Sequence, residues 1–195
     1  MTAFFYLWKN RSPFMLDLSK NYFELFGLPI DFRIDLAELS VRYRDLQKIM
    51  HPDRYASAPE HEQRLAMQGA TQVNEAFATL KDPLLRAQYM LELNGVDAKG
   101  ENLTTSDTGF LMQQMEMREA LAEARQAEDP LEVVGDLLDQ IGKAINVQVA
   151  QLAILLEQAT AENLTEASQC IYKMQFLKKL HAEAEALEAD LEDSI

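Results

Sequence analysis

Apolar positions recur three and four residues apart along nearly the whole chain, and no window sustains a two-residue alternation. That is the period of amphipathic helices and not of strands, so the chain is predicted to be all-α. Tyr22 to Phe26 reads as a short helical turn closed by Gly27-Leu28-Pro29. Asp35 is placed to cap a second helix whose packing stripe is Leu36, Leu39, Tyr43, Leu46 and Met50. Pro52 ends it, because a proline disfavours helical geometry at His51 and brings no backbone donor. A third helix is predicted from Glu60 to Leu80 on Leu65, Ala66, Ala70, Val73, Phe77 and Leu80; a fourth opens at Asp82-Pro83 and stops at Asn94-Gly95.

The segment "NGVDAKGENLTTSD", residues 94 to 107, holds two glycines and a run of turn formers, and marks a domain boundary. Beyond it three longer helices are predicted, from Ser106 to Ala127, Pro130 to Gln158 and Asn163 to Glu192. Their core stripes are Phe110, Met117, Leu121 and Ala124; Val134, Leu138, Ile141, Ile145 and Leu152; and Ala167, Ile171, Met174, Leu177, Ala184 and Leu191. Short connections between long helices make antiparallel neighbours, hence a three-helix bundle.

Charge supports the same division. The net charge is -14, which repels a nucleic-acid backbone unless a local basic patch overrides it. Residues 1–100 carry 12 Lys and Arg against 13 Asp and Glu, whereas residues 101–195 carry 6 against 19. The two parts are therefore expected to do different work. The single cysteine, Cys170, cannot form an intrachain disulfide or supply the ligand set of a zinc ribbon or iron–sulfur cluster, so no cofactor and no metal site are expected. No apolar run reaches the roughly 18 residues of a membrane span, and the N-terminal "AFFYLW" is short and lacks a basic flank for a secretory signal. A cytoplasmic location is the resulting expectation.

The chemistry-bearing motif is His51-Pro52-Asp53, within "DLQKIMHPDRYAS". As a catalytic pair it lacks a nearby serine, cysteine or second histidine in fixed relation, and His51, His61 and His181 show no metal-ligand spacing. A plain helix stop and a contact made for another protein are the other readings. The helix leading to it carries Arg42, Arg44 and Lys48, a short basic strip in an acidic protein.

The stretch from Tyr22 to Tyr89, with "YFELFGLP", "VRYRDLQKIMHPDRY", "NEAF" and "DPLLRAQY", resembles a J domain, the module of DnaJ-type co-chaperones. "LMQQMEMREAL" (111–121) and "FLKKL" (176–180) make the remainder similar to the iron–sulfur branch of that family. The resemblance implies an L-shaped, two-domain protein: an N-terminal J domain at 20–95, built as a helical hairpin with short flanking helices, a linker at 96–105 and a client-binding bundle at 106–195. It implies that Arg42, Arg44, Lys48, His51, Pro52 and Asp53 meet the ATP-bound form of a DnaK-type chaperone, HscA. The strip would steer the encounter and His51 with Asp53 would make the contact. Leu111, Met112, Met115, Glu116, Glu119 and Phe176 are implied to bind the iron–sulfur scaffold IscU.

The implied function is delivery of IscU to HscA and stimulation of its ATPase, with no enzymatic activity, nucleic acid or membrane involved, and with self-association neither required nor excluded. Two alternatives stand beside it: a general folding co-chaperone whose bundle holds unfolded segments or dimerises, and an enzyme using His51 and Asp53. Arg54 follows the tripeptide where lysine is common in the family, and Ser106 stands where a basic residue is expected, which weakens one client contact. Residues 1–19 precede the usual family start; they are either a native extension or a start set too early, with Met15 the alternative initiator, and carry no assigned role.

Overall fold

A computed structural model describes residues 19–97 and 107–194, all helix, turn or loop without a strand among them. Residues 1–18, most of the expected linker and Ser106 lie outside the described residues. The chain forms two compact units, divided after Arg86 and so within the fourth helix, upstream of the glycine-containing segment.

In the first unit, α1 (Tyr22–Leu25) begins with a reciprocal cap in which Asn21 accepts from the Glu24 amide and Glu24 accepts from the Asn21 amide. Gly27 takes a φ of +64°, the left-handed geometry that turns the chain away from the helix. Asp35 Oδ1 accepts from the amides of Ala37 and Glu38 at 2.8 and 3.1 Å, starting α2 (Leu36–Met50). After a 3₁₀ turn over Pro52–Tyr55, α3 (Glu60–Lys81) packs back on α2 as a hairpin. Tyr43 of α2 stacks on Phe77 of α3 with ring centroids 4.0 Å apart. Gly69 packs closely on the end of α2: a Cβ there would lie 3.0 Å from Met50 Sδ, so the methionine would have to shift. Helix α4 (Pro83–Leu93) is capped by Asp82, whose Oδ1 accepts from Leu84 and Leu85 amides.

Two stripe positions differ from the sequence reading. The buried line of α3 runs through Ala66, Gly69, Val73, Ala76 and Leu80, spaced three and four apart, and leaves Leu65 exposed. Reading Leu65 into the core favoured size over helical phase. Leu36 is exposed as well, at the first position of α2, while Leu39, Leu46 and Met50 are buried.

The second unit is a bundle of α5 (Thr108–Glu123), α6 (Pro130–Leu155) and α7 (Ala161–Glu192), with a 3₁₀ turn at Ala124–Gln126. Asp107, Asp129 and Thr160 supply the N-caps. One core cluster joins Phe110, Met117, Leu137, Ile141, Leu177 and Leu180; another joins Ala124, Val134, Ala184 and Leu187. Residue numbers rise along α5 and α7 together while they fall along α6, so the helices run up, down, up. The Asp107–Lys173 and Arg125–Asp190 ion pairs, at 2.6 and 2.8 Å, tie the two ends of α5 to α7 in that order. Leu164, Cys170, Leu180 and Leu187 extend the α7 core beyond the predicted stripe, because a helix between two others buries more than one line of residues.

Candidate functional site

The first candidate surface is the end of α2 and the loop after it. His51 leaves helical geometry with φ -59° and ψ 124°, as a residue before proline must. The backbone at once tightens into a 3₁₀ turn over Pro52–Tyr55. The side chains of His51 and Asp53 are 59% and 89% exposed. His51 Nδ1 accepts the Asp53 backbone amide at 3.3 Å and stands 3.7 Å from Asp53 Oδ2. A histidine oriented for proton abstraction donates Nδ1–H to a carboxylate. Here Nδ1 is turned to an N–H donor instead, so the pair lacks the hydrogen bond that orients such a histidine.

The three basic residues of α2 do not share one fate. Arg42 is turned inward, its side chain 16% exposed: Nη1 donates to Phe26 O and Gly27 O at 2.5 and 2.6 Å, and Nη2 pairs with Glu38. Those carbonyls close α1, so Arg42 fastens α1 to α2, which the charge pattern alone does not reveal. Arg44 is exposed and makes only a local bond from Nε to Ser40 O at 3.2 Å. Lys48 is 75% exposed, with Asp45 3.4 Å away. The outward-facing cations are thus Arg44, Lys48 and the exposed Arg54, whose guanidinium reaches back to Lys48 O at 3.1 Å. Tyr55 is buried beside them and donates to Ile49 O at 3.0 Å. Burial pushes its phenol above the ordinary value, so it remains a donor at neutral pH. Sequence reasoning missed Tyr55, whose partner is a backbone oxygen.

The second candidate surface lies on the bundle. Phe110 and Met117 face the core, and helical phase turns Leu111, Met112 and Met115 outward; both methionines are 63% exposed. Glu116, Glu119 and Glu123 are exposed further along the same helix. Phe176 of α7 is half-buried, set edge-on against Phe110 with centroids 6.0 Å apart, and the Arg118 guanidinium lies 5.5 Å from its ring centre. Lys173 lies 5.5 Å from the Phe110 ring and pairs with Asp107 at 2.6 Å. The hydrogen bond from Lys173, then that from the Phe110 amide, hold the Asp107 carboxyl below its ordinary range. The arrangement is an apolar strip of flexible side chains with an acidic margin, suited to a protein partner. No group of three potential metal ligands occurs among the described residues, and no helix among them is long and apolar enough to cross a membrane.

Comparison with known proteins agrees over both units. The HSCB C-terminal oligomerisation domain matches residues 106–185. A Co-chaperone protein HscB homolog from Shewanella amazonensis is 45% identical over 173 residues, spanning 89% of this chain and 99% of its own. One from Aeromonas salmonicida is 45% identical over 174 residues, with the same coverage of 89% and 99%. Among solved structures, the chaperone HscB from Vibrio cholerae superposes with a TM-score of 0.74 at 40% identity, covering 88% of this chain and 99% of that one. Human co-chaperone protein HscB gives 0.78 at 28% identity, covering 88% and 84%. At this identity and coverage, and with a matching fold, the chain belongs to the HscB family, the J-protein co-chaperones of iron–sulfur cluster biogenesis.

Proposed function

We propose that the chain is a non-enzymatic cytoplasmic adaptor: its bundle (106–195) binds the scaffold IscU, and its J domain (20–95) presents IscU to the ATP-bound chaperone HscA and stimulates HscA's ATPase. The observation that carries this reading is the exposure of His51 and Asp53 at the end of a helix whose exposed cations are Arg44 and Lys48. Electrostatic attraction to an acidic chaperone surface speeds encounter and weakens with salt. Asp53, exposed and adjacent to His51, is suited to pair with a chaperone arginine. Such a contact changes the ATPase by favouring the partner's hydrolysis-competent state, and a ligand does that only to the extent that it binds this state better. Arg42 contributes by holding α2 in place rather than by touching the chaperone.

The client half of the reading rests on Leu111, Met112 and Met115, with Glu116, Glu119 and Phe176 around them. In single-turnover ATP hydrolysis by HscA, His51→Gln is expected to lose most of the stimulation. Stimulation equal to the parent's overturns the J-domain mechanism. Changing Leu111, Met112 and Met115 together to alanine is expected to weaken IscU binding by roughly a hundredfold or more. Because these side chains are exposed, the helical circular dichroism should stay intact; unchanged affinity rejects the client surface.

A further inference from the structure

Helix α2 ends without the glycine that commonly satisfies last-turn carbonyls, since Pro52 follows His51 directly. The carbonyl oxygens of Lys48 and Ile49 belong to that last turn and have no amide within their own helix to accept from. Both are partnered from beyond the tripeptide, Lys48 O by Arg54 Nη1 at 3.1 Å and Ile49 O by Tyr55 Oη at 3.0 Å. The far side of the loop is held from α3, where Gln63 Nε2 donates to Ala58 O at 2.9 Å and, less closely, to Ala56 O at 3.4 Å. Between these ties His51 and Asp53 project into solvent.

Resting on the chaperone-stimulating role above, we propose that Arg54, Tyr55 and Gln63 are positioning residues for that role. They hold the tripeptide loop in the one shape that HscA recognises, and Gln63 clasps it from the opposite helix. A loop released from these ties populates that shape only part of the time, and the chaperone's response falls by the same fraction. Encounter depends on the charged side chains of Arg44 and Lys48, whereas the clasp engages only the backbone carbonyl of Lys48. Loosening the loop should therefore lower maximal stimulation, whereas removing the cations should raise the concentration needed for half-maximal effect.

Gln63 allows a test by chemistry. Lysine carries only donors and can reach the same two carbonyls, leucine offers none, and glutamate sets acceptors against acceptors. All three are good helix formers at a partly exposed site, so folding is retained and melting can be followed in parallel. Single-turnover ATP hydrolysis by HscA is measured against the concentration of full-length Gln63→Lys, Gln63→Leu, Gln63→Glu and His51→Gln. Gln63→Lys should reach the parent's maximum, while the leucine and glutamate forms should lose roughly three- to tenfold of maximal stimulation, the leucine form at unchanged half-saturation because it adds no charge. If the leucine and glutamate forms stimulate fully, or lysine fails as leucine does, while His51→Gln is inactive, the positioning role is wrong. If His51→Gln itself stimulates like the parent, the underlying chaperone reading falls and the inference with it.

Discussion

Replacing Arg42 by methionine should loosen the first unit, whereas replacing Arg44 by methionine should leave it intact and weaken the chaperone encounter. The two residues are one helical step short of sharing a face, and only Arg42 carries structural bonds to α1, through the carbonyls of Phe26 and Gly27. A hydrogen bond from a charged donor contributes roughly 1.5–3 kcal/mol when well shielded. Two such bonds, discounted because water can replace the guanidinium at Gly27 and because the Glu38 pair lies near the surface, leave a net cost of about 1–3 kcal/mol. Arg44, bonded only to its own helix, should cost within about 0.5 kcal/mol. Hydrogen–deuterium exchange of the full chain, read by mass spectrometry over residues 22–28, reports the difference directly. A cost of that size speeds exchange there by roughly five- to hundredfold in Arg42→Met. Arg44→Met should exchange like the parent but need more protein to half-saturate HscA, by a margin that narrows as salt rises. Parental protection in Arg42→Met would refute the assignment of this residue to the α1–α2 joint.

Two further outcomes follow from the bundle. The depressed Asp107 carboxyl, held mainly by Lys173, stabilises the fold fully above the ordinary carboxylate pKa, and the benefit is lost as pH falls through the lower folded value. Asp107→Asn should therefore be less stable than the parent near neutrality, with the gap closing in acid; urea midpoints across that range check it. Burial raises the Cys170 thiol, so its reaction with iodoacetamide at mildly alkaline pH should be slow in the native protein and fast in concentrated guanidinium. Rapid native labelling would contradict its packed position on α7.

Helix existence and type were legible because period, caps and breakers agree: Asp35 and Asp82 cap as predicted, Pro52 stops α2, and Asn94-Gly95 follows α4. What pattern could not provide was phase where a large residue borders the stripe, as at Leu65, or direction for a long side chain. Arg42 and Arg44 look equivalent in a charge pattern, yet only Arg42 has the carbonyls that close α1 within reach. Tyr55 and Gln63 were invisible for the related reason that their partners are backbone oxygens, which every residue carries and no sequence pattern marks. The outward turn of Leu111, Met112 and Met115 was legible, since these residues fall off the stripe of Phe110, Met117 and Leu121.

The Asp107–Lys173 bond joins residues 66 positions apart, and it sets Phe110 beside Phe176 across the α5–α7 seam. A partner that touches both helices at this seam senses more than a local motif. Neither α5 nor α7 presents the combined surface alone, so under the proposed function a chain truncated in its last helix is expected to lose IscU binding. Recruitment under that proposal would be conditional on an intact bundle.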